Sequence, residues 1–162
     1  MAARCETLAR MPVTVVATAW EQPDATALRD AQRAELEQRY GRNDSETGPA
    51  PTAADVEVFL VAYVAGLAVG CAGLRRLAEG AAEIKRMYVD PAHRGSGVAR
   101  AILVALEQEA ARRGIAVLRL ETGDRQPDAM RFYEREGYVP IPAFGHYVDS
   151  VISRCYQKVL KG

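Results

Sequence analysis

The chain has 162 residues and a mass of 17.6 kDa, with 21 basic and 21 acidic side chains and 49% hydrophobic residues. A domain of that length buries enough apolar surface to stand without disulfides or structural metal, which excludes disorder along the whole length. The charges cancel and the pI is near 6.7, so no global field draws the chain to a phosphate backbone or an anionic membrane, and nucleic acid and membrane are not expected partners.

Residues 1–12 read as an N-terminal extension and 13–162 as a single domain. Arg4 and Arg10 ahead of the apolar stretch 13–19 resemble a signal peptide, but Glu6 and Pro12 intervene and Thr14 and Thr18 interrupt the stretch, so a first strand explains it better. Met11 is a second candidate start. No apolar run approaches the ~20 residues of a membrane helix. Cys5, Cys71 and Cys155 lie far apart and form no C-x-x-C pair, which fits neither a disulfide framework nor a zinc knuckle. A soluble, cytoplasmic protein without metal is expected.

A β-branched strand at 13–18 comes first, and Pro23-Asp24 then supplies a turn and a cap for a helix through about Tyr40, ended by Gly41. Leu28, Ala31, Leu36 and Tyr40 fall roughly on one helical face, with Arg29, Arg33, Glu37 and Arg39 turned away. Residues 42–53 have loop chemistry. Strands follow at 56–64 and 67–77, with Ala65-Gly66 turning a hairpin between them, and a third at 81–89. On that third strand, alternation puts Glu83, Lys85, Met87 and Val89 on one face.

Val98, Ile102, Ala105 and Leu106 mark the buried face of a helix of about four turns, closed by Arg112-Arg113-Gly114. A strand at 117–121, a helix from Pro127 through Glu136, and strands near Tyr138 and at 151–160 complete the chain. The order predicts an α/β or α+β domain around one mixed, mostly antiparallel sheet. Strands 81–89 and 117–121 should be parallel neighbours joined by a right-handed crossover, with a pocket at their carboxyl ends.

Arg94-Gly95-Ser96-Gly97-Val98-Ala99 lies between a strand end and a helix N-terminus, where unpartnered N–H groups and the helix dipole favour an anion. Gly95 and Gly97 permit close approach of the backbone, and Arg94 and Arg100 add charge. An ordinary strand-to-helix turn would look the same. The Gly-Lys-Ser/Thr of a P-loop is missing, and Arg100 stands where a dinucleotide fingerprint needs a small residue.

Arg94, Gly97 and Ala99 match the Gln/Arg-x-x-Gly-x-Gly/Ala signature of the GNAT N-acetyltransferase superfamily. Ala129, Phe132, Tyr133, Gly137 and Tyr138 match a second block of that family. On these motifs the chain resembles a GNAT enzyme over roughly residues 13–160, with motif detail between 81 and 138. The resemblance implies a GNAT-like sheet whose parallel pair splays apart to hold acetyl-coenzyme A. The diphosphate would lie on residues 94–100 and the pantetheine would pair with backbone at Met87, Tyr88 and Val89. Gln126 stands where many relatives place an asparagine beside the cofactor, and Ala129 lies in the same block. The resemblance makes Tyr133 the acid that protonates the departing thiolate, where the alternative is a core tyrosine. It makes Glu83 the candidate base that frees an amine of its proton, where the alternative is a strand residue paired with Lys85 or an arginine.

The implied reaction moves acetyl from acetyl-CoA to a primary amine on a small molecule or peptide. A non-catalytic acyl-CoA sensor is the alternative, and a homodimer is common among relatives. Cys71 and Cys155 read as buried structural thiols. His93, beside the glycine turn, touches phosphate or solvent. His146, Phe144, Tyr147 and Asp149 wall an acceptor pocket or pack, and Asp44 and Glu46 could attract a cationic amine.

Overall fold

A computed structural model of the chain describes residues 11–41, 48–78 and 80–162. Asp44, Glu46, Cys5 and the first ten residues of the expected extension lie outside them. Seven strands form one sheet in the order β1-β2-β3-β4-β5-β7-β6. These are β1 (Val13–Thr18), β2 (Val56–Val64), β3 (Leu67–Arg76), β4 (Ala81–Val89), β5 (Val117–Gly123), β6 (Val139–Ile141) and β7 (Ser153–Val159). The helices are α1 (Pro23–Tyr40), α2 (Val98–Arg112) and α3 (Pro127–Arg135). Every pairing is antiparallel except β4 with β5, as the single crossover through α2 requires. No helix among the described residues is long and apolar enough to cross a membrane.

The sheet has a different layer on each face. Val98, Ile102, Leu103, Leu106 and Ala110 of α2 are buried against one face together with Leu118 and Leu120 of β5 and Tyr133 of α3. Each large apolar side chain taken out of water there contributes roughly 1.5–3 kcal/mol. Gly70 of β3 makes this approach possible, since a Cβ there would stand 2.9 Å from Ile102 Cδ1. Ala25 and Leu28 of α1 cover the other face, over Phe59, Val61, Cys71 and Tyr88.

Two local expectations are corrected. The N-cap of α1 is Gln22, whose side chain accepts from the Ala25 N–H at 2.9 Å, while Asp24 accepts from the Tyr63 hydroxyl at 2.8 Å. The inward face of α1 is Ala25, Leu28 and Arg29, with Ala31 exposed. Positions 25, 28, 29 and 32 follow the i, i+3, i+4, i+7 rule, and a guanidinium is admitted because Trp20 and Phe59 give it aromatic faces to lie on.

β4 departs from strict alternation at a bulge. Its register with β3 runs from Gly73 opposite Lys85 to Cys71 opposite Tyr88, so Arg86 and Met87 together face Ala72. Arg86 has φ +58°, a left-handed conformation rare outside glycine. The extra residue inverts the pattern. Ala82 and Ile84 before the bulge, and Met87 and Val89 after it, all pack toward α2, whereas Glu83 and Lys85 point the other way. Glu83 and Met87 therefore do not share a face.

Candidate active site

β4 pairs with β5 only from Ala81 to Glu83, opposite Val117 to Arg119. Beyond that the strands part, and β5 stays in the sheet through β7. A cavity of about 1070 Å3 passes through the opening, lined from one side by α2 and α3 and from the other by α1. A pocket where parallel strands diverge is the position general to open α/β sheets.

At one end of the cavity lies the glycine turn. Asp90 caps the single helical turn Pro91–His93 by accepting from the Ala92 N–H at 2.9 Å, and the Ser96 hydroxyl donates back to the His93 carbonyl. Gly95 at φ +73° and Gly97 at φ +94° carry the chain into α2. Among the described residues, nothing accepts from the backbone N–H groups of Gly95, Ser96, Gly97, Val98, Ala99 or Arg100. A row of such donors at a helix N-terminus, with no side-chain cap competing for it, suits a diphosphate. The charges expected beside it are partly committed elsewhere. Arg94 reaches α1, where its guanidinium grips Glu35 at 2.9 and 2.6 Å, and that hydrogen-bonded carboxylate raises the Arg94 pKa. Arg100 is exposed, 3.5 Å from Glu136. His93 turns its Nδ1 toward Asp90 at 3.6 Å.

Along the opened edge of β4, two carbonyls are held by side chains instead of a neighbouring strand. Met87 O accepts from Gln32 Nε2 at 2.9 Å, and Val89 O accepts from Arg94 Nε at 2.9 Å. Both are bonds that an incoming amide N–H can replace. Met87, Tyr88 and Val89 line the cavity, as do Gln126 and Ala129 from the start of α3. Across from them stands Tyr133, 5% exposed, tilted against Phe132 and edge-on to Tyr138 with centroids 5.1 and 5.6 Å away. Its hydroxyl meets no partner among the described residues, and burial raises its pKa, so it remains a proton donor.

Glu83 lies behind the cavity wall. It is 2% exposed, accepts from the Tyr147 hydroxyl at 2.7 Å, and sits 3.2 Å from Lys85 Nζ and 3.5 Å from Arg75. Lys85 in turn donates to the Tyr147 hydroxyl at 3.1 Å and is itself on the wall. A buried carboxylate needs such partners, so the pairing with Lys85 or an arginine considered from sequence is present twice, though in the interior instead of in solvent. Tyr147 and Phe144 pack edge-on at 5.3 Å and do not line the cavity, and His146 packs on Gly48. Glu121 of β5 does line it, together with Arg29 and Gln32 of α1. Sequence reading missed all three. The helical period of α1 carried the signal for the pair on α1, and alternation along β5 carried it for Glu121.

Cys71 is fully buried with its thiol 3.4 Å from the Arg86 carbonyl, and burial pushes its pKa up to about 12. Burial raises Cys155 too. At pH 8 the thiolate fraction of Cys71 is on the order of 10⁻⁴, and Cys155 is buried as well, so iodoacetamide should leave these two thiols unmodified in the native protein and alkylate them in guanidinium. Rapid native labelling located at Cys71 or Cys155 by peptide mass spectrometry would contradict their structural role.

The acetyltransferase (GNAT) domain family matches residues 55–140. An IAA acetyltransferase of Azospirillum brasilense is 37% identical over 103 residues, which is 63% of this chain and 67% of that protein. A Klebsiella pneumoniae structure described as an acyl-CoA N-acyltransferase is 33% identical at TM-score 0.79, covering 92% of this chain and 98% of its own. The PaiA N-acetyltransferase of Thermoplasma acidophilum, solved with coenzyme A, shares the fold at TM-score 0.68 and 17% identity, over 92% of this chain and 99% of its own.

Proposed function

Because this chain belongs to the GNAT acetyltransferase family, and so is an acyl-CoA-dependent acyltransferase, we propose that it moves acetyl from acetyl-CoA to a primary amine. The observation that carries this reading is the row of unengaged N–H groups from Gly95 to Arg100 at the mouth of the cavity. Those residues would hold the diphosphate, with Gln126 and Ala129 beside them. Met87 and Val89 would hold amides of the pantetheine arm, with Gln32 and Arg94 releasing the two carbonyls. When bound, the co-substrate supplies an activated thioester carbonyl.

This chain's own residues then have three tasks. A backbone N–H at the Arg86–Met87 bulge stabilises the developing oxyanion. Tyr133 gives its hydroxyl proton to the departing sulfur, and its raised pKa keeps that proton available at neutral pH. Glu83 takes the proton that the ammonium must lose before nitrogen can attack, with water carrying it past Lys85. Glu121 is the alternative acceptor of that proton, favoured by its place on the cavity wall. Buried thiols at Cys71 and Cys155 fit work in a reducing cytoplasm.

The test is release of coenzyme A thiol from acetyl-CoA in the presence of a panel of primary amines, with binding of coenzyme A followed by calorimetry. Amine-dependent release is expected. Tight binding without release for any amine would favour an acyl-CoA sensor instead.

A further inference from the structure

Arg29 is a charged residue on the apolar face of its helix. It is 9% exposed, and its guanidinium lies 3.7 Å from the centroid of the Trp20 ring and 5.2 Å from that of Phe59. Nη1 donates to the Trp20 carbonyl at 2.7 Å and Nη2 makes a long contact with the Thr26 hydroxyl at 3.4 Å. Among the described residues no carboxylate lies within ion-pair distance of it, although every other buried charge here has one. A guanidinium has five N–H donors in a planar fork, and two are used. Asp30 and Glu21 act on this cation only through space, so its remaining N–H donors are left without a carboxylate to bind, and an anion from outside the chain would supply one.

Its position says what the anion belongs to. Arg29 lines the cavity on the α1 side of the sheet, across the splay from the glycine turn and Tyr133 on the α2 and α3 side. Arg86 of the bulge, on the same stretch of wall, is close enough to act on Arg29 as a like charge. The cavity thus holds a buried, fork-shaped cation on the side where an acceptor would enter. Stacking on Trp20 fixes the plane of the fork, and a planar carboxylate is the group that meets such a fork with two parallel hydrogen bonds.

We propose that Arg29 anchors a carboxylate on the acceptor, so that the substrates are amines that also carry a carboxylate, such as amino acids. This rests on the reading of the site as an amine acetyltransferase. The test compares α-, β- and γ-amino acids with their own carboxamides, which keep the amine and replace the carboxylate by a neutral group of like shape. Thiol release is measured for the wild type, Arg29→Lys and Arg29→Met, with calorimetry of coenzyme A on each.

The wild type should favour at least one acid over its amide by about tenfold or more in kcat/KM, carried in KM. That preference should survive although the amide's less basic amine is more fully deprotonated. Arg29→Met should bring the ratio near one with coenzyme A affinity unchanged, and Arg29→Lys should keep part of it. A purely structural arginine would instead lower turnover of both partners alike. Equal or better use of the amides by the wild type overturns the assignment while acetyl transfer to amines stands, and that comparison needs no variant to fold. Absence of release with every acid and every amide overturns the transfer reading and the assignment together.

Discussion

Replacing Tyr133 by phenylalanine is expected to lower kcat by on the order of 10²-fold while leaving coenzyme A affinity close to wild type. The substitution removes one oxygen that has no partner among the described residues, so neither a hydrogen bond nor a contact of the ring with Phe132 or Tyr138 is lost. The melting temperature should therefore stay put, which separates a chemical effect from a folding one. Because burial raises the hydroxyl's pKa, its donor form persists through neutral and mildly alkaline pH, and no fall in rate below the ordinary tyrosine range should trace to it. Steady-state thiol release decides the matter. Wild-type turnover in the phenylalanine variant would remove Tyr133 from the reaction.

The second large effect is expected from Gly97→Val, which should weaken coenzyme A binding by at least about 10²-fold in calorimetry. Gly97 sits at φ +94° as the N-cap of α2, a backbone conformation that a β-branched residue adopts only under strain of about 1–3 kcal/mol. Relief of that strain would turn the peptide and scatter the N–H groups that converge at the mouth of the cavity. Gly114 gives the matched control. It has φ +70° beyond the far end of α2 with open space around it, so Gly114→Val should destabilise the fold comparably without touching coenzyme A affinity. Equal loss of affinity in both variants would mean that binding follows global stability instead of the turn.

Most of the architecture was legible because it depends on short-range pattern. The β-branched run 13–18, the apolar run 56–64, the apolar stripe Val98, Ile102 and Leu106, and the glycine turn each state their element without reference to the rest of the chain. Parallel pairing of β4 with β5 followed from a single helical crossover. The errors arose where a single residue changes the phase. Arg86, taken as an ordinary member of a period-two strand, adopts the left-handed region and puts Met87 on the opposite face from Glu83. Arg29 was read as solvated because arginine usually is, whereas Trp20 and the i+3, i+4 spacing from Ala25 turn it inward.

Contacts that span the chain were beyond local pattern altogether. Arg94 meets Glu35 from 59 positions away, Gln32 meets the Met87 carbonyl from 55, and Tyr147 meets Glu83 from 64. Each depends on where α1 or the loop before β7 comes to rest against β4, which no window of sequence contains. As a result, the end of the cavity at the glycine turn was readable from the residues that form it. The opposite side, assembled largely from α1, was not.

The diphosphate site proposed at the glycine turn can be observed one amide at a time. In a ¹⁵N-labelled sample of this 17.6 kDa chain, titration with coenzyme A should move the backbone resonances of Gly95, Ser96, Gly97, Val98 and Ala99 furthest, with smaller shifts at Met87 and Val89. Saturable binding that shifts other amides and leaves those five where they were would contradict the account.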